Sequence, residues 1–199
     1  MNKDICIVIQ GATQPQWLPT IKQGWEGYPV IYSTWEGTNP AYYDESDIVL
    51  YNPIPEAGVR NLNLQRVSSL NGFLKAKEMG FKRVLKWRSD FYCPNPKLFL
   101  ETFEEDKINF YAWHRDNYVT DFFIEGDIDE MIELFTFHNW HIVPYPEKAF
   151  TERLFELGLD SKAAFNCKKI FEPNDIKWFK ANYWLSFNTL DNDYRNKII

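Results

Sequence analysis

The stretch Arg83-Val84-Leu85-Lys86-Trp87-Arg88-Ser89-Asp90-Phe91-Tyr92 carries the reading of the fold. Arg83 to Trp87 has the large apolar residues of a buried strand. It then ends abruptly in the polar tripeptide Arg88-Ser89-Asp90. A strand that runs out in two cations, Lys86 and Arg88, and then delivers a carboxylate describes the carboxyl end of a strand in an α/β sheet. That is where such sheets place their sites.

Upstream, the same grammar recurs. Ile5 to Ile9 is a β-branched run that enters the turn Gly11-Ala12-Thr13-Gln14-Pro15, and Tyr28 to Trp35 and Asp47 to Tyr51 read as two more strands. Pro53 and Pro55 then break the chain. Leu62 to Met79 is a helix on the 3–4 residue spacing of Val67, Leu70 and Leu74, with Gly80 placed to cap it. Downstream, the pattern predicts a short helix at Pro96 to Phe103, strands at Ile108 to Trp113 and Asp121 to Ile124, and helices at Asp127 to Phe137 and Glu147 to Leu157. A late strand falls at Lys168 to Phe171. Strands alternating with helices predict an α/β fold with a mostly parallel central sheet flanked by helices on both faces. Its strand ends, Gln10-Gly11, Thr34-Trp35, Asn52 and Arg88-Ser89-Asp90, should converge.

A chain of 199 residues fits one domain, residues 1–199. The net charge of −6 and the lack of any Lys/Arg run exclude nucleic acid as the main partner. Cys6, Cys93 and Cys167 are odd in number and far apart, which suits a reducing compartment and no disulfide framework. No apolar stretch approaches the ~20 residues of a membrane span, and the N-terminus is too short in apolar residues for a signal peptide. These features predict a soluble, cytoplasmic protein. Aromatics at 18% suit either stacking on sugars or bases, or a large core.

Chemistry-bearing motifs each compete with a structural explanation. The run IVIQGATQ resembles the opening of a dinucleotide fold, but Gln14, Pro15 and Gln16 stand where further glycines are needed, so that fingerprint fails. In KWRSD, Asp90 could hold Mg²⁺ or Mn²⁺ against a diphosphate while Lys86 and Arg88 neutralise it; the alternative is an Arg–Asp pair at a strand end. Asp127-Ile128-Asp129 opens a helix and reads as capping, and Asp191-Asn192-Asp193 lies in a polar tail. Asn63, Arg66 and Ser69 could turn a polar helix face to a nucleotide or to solvent. Asp121, at the head of an aromatic strand, needs a partner or a task, and Glu147 opens a helix whose dipole favours it. His114, His138 and His141 show no metal-ligand spacing and are expected to be structural.

Taken in order, STWEG (33–37), the N-L-x-x-Q-R-x-x-S helix (61–69), KWRSDFY (86–92) and TDFFIEGD (120–127) followed by a Pro-Glu helix resemble WavE-type lipopolysaccharide-synthesis glycosyltransferases. They are also similar to small glycosyltransferase domains of large algal viruses. The resemblance covers roughly residues 5–160. It implies a GT-A-like fold and a hexosyltransferase that moves a sugar from a UDP-sugar donor to a glycan acceptor, with Mn²⁺ or Mg²⁺ as cofactor. The nucleotide-binding half would span about 1–95 and the acceptor half about 96–199. The family's Asp-x-Asp reads Arg88-Ser89-Asp90, so Asp90 is left as the metal ligand. Uracil and ribose would then lie near Gln10, Gly11 and Trp35, and the diphosphate near Arg66, Lys86 and Arg88, with Asn63 and Ser89 among the nucleotide-sugar-binding residues. Asp121 or Glu147 would bind and deprotonate the acceptor hydroxyl. A non-catalytic carbohydrate-binding module and a nicotinamide-dependent oxidoreductase remain the rival readings.

Overall fold

The computed structural model of the chain describes residues 4–90, 100–101, 103–110, 119, 121, 123–136 and 146–163. In chain order the elements are β1 (Ile5–Gln10), α1 (Leu18–Gly24), β2 (Val30–Trp35), β3 (Ile48–Asn52), α2 (Leu62–Glu78) and β4 (Arg83–Arg88). There follow β5 (Ile108–Phe110), β6 (Phe123–Asp127), α3 (Ile128–Phe135), α4 (Pro146–Leu157) and β7 (Ser161–Ala163). The strands form one sheet in the order β3-β2-β1-β4-β6-β5-β7. The first four run parallel, as does β5 with β7, while β6 is antiparallel to both its neighbours.

The period of two along a strand sorts the core into two layers. Ile5, Ile7 and Ile9 of β1 and Leu85 and Trp87 of β4 face Leu18, Ile21 and Trp25 around α1. Cys6, Val8 and Val84 face the other way, into the layer built by α2, α3 and α4 with Phe73, Phe135 and Phe150. Every residue of β1 is buried, as a strand covered on both faces must be.

Helix α2 does not pack by the expected stripe. Leu74 is 47% exposed, and Val67 and Leu70 are only half-buried. Its buried residues are Leu62, Gln65, Ser68, Ser69, Gly72, Phe73 and Ala76, so small and polar residues make up much of the buried side. The physical reason is close approach: a Cβ on Gly72 would lie 2.3 Å from Val8 Cγ1. Ser69 is thus buried and belongs to no solvated face.

The capping expected of Asp127 is present, since its carboxylate accepts from the backbone N–H of Asp129 (2.8 Å) and Glu130 (3.4 Å). Strand β6 begins at Phe123, so Asp121 precedes it. Strand β7 and helix α1 were not foreseen. Residues 91–99, Cys93, Cys167, the three histidines, the strand expected at 168–171 and Asp191 to Asp193 lie outside the described residues.

Candidate functional site

The four parallel strands end side by side. Gln10 of β1 is in register with Arg88 of β4 and Ser33 of β2, and Trp35 is in register with Asn52 of β3. Gly11 then turns the chain at φ 106°, a conformation that favours glycine, and a Cβ there would stand 3.1 Å from Ser89 Oγ. The Ser89 hydroxyl donates to the Ala12 carbonyl (2.8 Å), and the Ser89 N–H donates to the Gln10 carbonyl (2.9 Å). The ends of β1 and β4 are thereby stapled into one rigid lip.

Beyond that lip opens a cavity of about 430 Å³. Gln10, Gly11, Ala12 and Gln14 form one wall, with Trp35 beside them, and Arg88, Ser89 and Asp90 form the next. The turn before α2 adds Arg60 and Asn61, the first turn of α2 adds Leu64 and Gln65, and Asp121, Pro146 and Glu147 close the far side. The volume lies in the range of sites that hold small organic ligands.

The charges are tightly organised. Arg88 grips Asp90 with two parallel bonds, Nε to Oδ1 (2.9 Å) and Nη2 to Oδ2 (2.7 Å), and reaches Asp121 Oδ2 with Nη1 (3.3 Å). Burial alone would lower the guanidinium's pKa, but the bonds to Asp90 and the negative charges of Asp121, Asp90 and Glu147 outweigh it and raise the pKa. Asp121 is 3% exposed, and its Oδ2 also accepts from Gln65 Nε2 (2.6 Å). Lys86 is fully buried; its Nζ donates to Gln65 Oε1 (3.1 Å) and to the Asp121 carbonyl. Burial pulls the Lys86 pKa down to about 8, with Asp121 opposing the fall. Alongside, the Ser68 hydroxyl donates to Gln10 Oε1 (2.9 Å), and Asn52 Nδ2 donates to Ser33 Oγ (2.9 Å) and the Thr34 carbonyl (2.7 Å).

Of the residues singled out from sequence, Gln10, Gly11, Trp35, Arg88, Ser89, Asp90, Asp121 and Glu147 meet in this cavity. Lys86, Asn63 and Arg66 do not line it. Lys86 shares a face with Arg88, but it sits two residues deeper in the strand and spends its ammonium beneath the cavity floor. Asn63 turns toward the preceding loop, where a Cβ on Gly58 would lie 2.9 Å from its Nδ2. Arg66 is half-buried elsewhere on α2, with its pKa lowered by that burial.

The lining also takes in residues that sequence reading did not assign to the site, chief among them Gln65, Arg60 and Asn61. Gln65 gave a signal in retrospect, as a polar residue in the helix face of Ser68, Ser69 and Gly72. Arg60 and Asn61 adopt left-handed backbone (φ 49° and 62°), which costs non-glycine residues of order 1–3 kcal/mol each and which sequence does not announce.

A divalent cation would find Asp90 as the partly exposed carboxylate of the lip. Both its oxygens already accept from Arg88, and no group of three Asp, Glu, His or Cys side chains that could hold a metal exists among the described residues. The donor set fits a metal ion only where a bound diphosphate supplies most of the oxygen ligands.

No family model matches the chain, and no curated protein matches it. Solved structures do share its fold. A Desulfovibrio desulfuricans protein provisionally named a nucleotide-diphospho-sugar transferase superposes with a TM-score of 0.61 over 96% of both chains, at 11% identity. The 4-diphosphocytidyl-2C-methyl-D-erythritol synthase of Anaerococcus prevotii superposes with a TM-score of 0.51 over 90% of this chain and 97% of its own, at 17% identity. The chain therefore shares the GT-A-like fold of these structures. At these identities the likeness is one of fold, and the chemistry must be argued from the site.

Proposed function

We propose that the chain transfers a hexose from a nucleotide-diphosphate donor, a UDP-sugar, to a glycan acceptor with the help of Mn²⁺ or Mg²⁺. The observation that carries this reading is the meeting of Gln10, Gly11, Trp35, Arg88 and Asp90 with Asp121 and Glu147 in one cavity at the carboxyl ends of β1 and β4. The nucleotide lies along Gln10, Gly11 and Trp35, on the half formed by residues 1–95. Arg88 faces the diphosphate and stabilises the negative charge that grows on it as the glycosidic bond breaks. Asp90 would hold the metal ion together with the diphosphate, and the ion when bound would neutralise part of the leaving group's charge.

Asp121 is buried and committed to Gln65 and Arg88, so its task is to orient Arg88. Glu147, half-buried at the mouth of α4, is the group placed to accept the proton of an acceptor hydroxyl. The order of STWEG, KWRSDFY and TDFFIEGD supports a WavE-type or algal-virus-type transferase acting on a lipopolysaccharide-like glycan. No helix among the described residues is long and apolar enough to cross a membrane. Cys6 is buried as a free thiol, in keeping with a cytoplasmic setting.

Calorimetry with UDP, GDP, NAD and free sugars, each with Mn²⁺ and with excess EDTA, tests the reading. UDP and Mn²⁺ should bind synergistically and each weakly alone, because Asp90 by itself makes a poor metal site. Equal UDP affinity in EDTA removes the metal from the mechanism. Binding of free sugars without any nucleotide would leave only a carbohydrate-binding module.

A further inference from the structure

We propose that Gln65 is a positioning residue: its side-chain amide fixes the carboxylate of Asp121, and through it the guanidinium of Arg88, against the cavity. The inference rests on the reading that Arg88 faces the donor's diphosphate.

Gln65 stands on the first turns of α2 with 8% of its surface exposed, at the boundary between the cavity and the charges beneath it. Its two amide ends are engaged by opposite charges. Nε2 donates to Asp121 Oδ2 at 2.6 Å, and Oε1 accepts from Lys86 Nζ at 3.1 Å. Only one orientation satisfies both contacts. A flipped amide would set oxygen against carboxylate and an NH₂ group against ammonium. No other uncharged side chain of that length offers a donor and an acceptor at once. A glutamate would put a second carboxylate against Asp121, and a leucine would leave both partners unmet.

The consequence runs outward along one oxygen. Asp121 Oδ2 is shared between Gln65 and Arg88 Nη1. Asp90 fixes the other side of the same guanidinium through Nε and Nη2. Arg88 is thus set in its plane by two carboxylates, of which one belongs to its own strand end and the other is placed by α2. Helix α2 is itself locked to the sheet one turn on, where Ser68 donates to Gln10 and the Ser68 carbonyl accepts from Ser33 Oγ at 2.6 Å. Gln65 therefore conveys the rigidity of the helix–sheet interface to the cation of the site. An amide that fixes a charged group in this way acts on the transition state more than on ground-state binding.

The test compares Gln65→Leu and Gln65→Glu with the unaltered protein, each checked by circular dichroism. Two readouts are taken. The first is UDP-sugar hydrolysis or transfer, separated into kcat and KM, with UDP-sugar affinity measured directly. The second is the ¹⁵N NMR signal of the Arg88 Nε–H, assigned by its loss in Arg88→Lys, which needs no turnover. We expect kcat to fall about tenfold or more in both variants while UDP-sugar affinity changes by less than about threefold, the pattern of a lost transition-state contact. The Arg88 signal should shift or broaden in both. If the loss appears in UDP-sugar affinity with kcat intact, Gln65 is a donor contact and the proposal is overturned. Folded variants with kcat within about twofold and an unmoved Arg88 signal overturn it as well. If the unaltered protein turns over no nucleotide sugar, the functional reading fails, and the NMR arm alone then decides whether Gln65 sets Arg88.

Discussion

Replacing Lys86 by methionine should change how stability depends on pH. The ammonium is fully buried, and burial lowers its pKa from the ordinary 10.5 to about 8. Below about pH 8 both folded and unfolded chains carry the proton, and the folded chain bears the full net penalty, burial less the attraction of Asp121, of about 3 kcal/mol at 1.36 kcal/mol per unit. Between pH 8 and 10.5 the unfolded chain binds more protons than the folded one. Stability from this group therefore rises with pH across that window.

Methionine removes the penalty but leaves Gln65 Oε1 and the Asp121 carbonyl without their donor, at a cost of about 1–3 kcal/mol each. The two effects oppose each other at pH 7. The readout is the slope: the stability of the unaltered protein minus that of Lys86→Met should rise by about 2–3 kcal/mol from pH 7 to pH 10. Taking the difference matters, because burial raises the pKa of Cys6 (to about 12) and of Tyr32, and both oppose the trend in either protein. Urea unfolding followed by tryptophan fluorescence at unit intervals of pH gives both curves. A difference that stays flat over that range would refute the buried, depressed ammonium, and with it the assignment of Lys86 to the floor of the site.

Gly72→Ala sets a methyl 2.3 Å from Val8 Cγ1 and should destabilise by about 1–3 kcal/mol through overpacking, although alanine is the better helix former; an unchanged melting temperature would contradict the close approach of α2 to β1. Arg88→Lys keeps the charge but loses the paired bonds to Asp90, and kcat should drop about tenfold or more with the fold intact. Asp127→Ala removes a helix cap worth ~1 kcal/mol and should leave turnover unchanged, whereas Asp90→Ala should abolish metal-dependent turnover. The opposite result would move the metal site to the Asp127-Ile128-Asp129 segment. Asp129→Ala, losing only an exposed pair with Lys77, should shift stability by less than about 0.5 kcal/mol in chemical denaturation.

Much of this protein is legible in its sequence, because hydrophobic period and turn residues are local properties. The apolar run at residues 5–9, the polar stop at Arg88-Ser89-Asp90 and the capping residue Asp127 each declare their role within a few neighbours. The rule that open α/β sheets bind at strand ends then places Gln10, Trp35, Arg88 and Asp90 together. Tertiary structure alone decided how deep each charge lies. Lys86 and Arg88 share one face of β4, yet a strand advances about 3.3 Å per residue, so two residues separate a fully buried ammonium from a guanidinium at the cavity. Tertiary structure also decided which side of α2 is buried. From sequence its polar residues fit solvent or a nucleotide, because nothing local says that a lysine and an aspartate wait beneath Gln65. Burying those charges requires partners, and Gln65 supplies them from a helix brought close by Gly72.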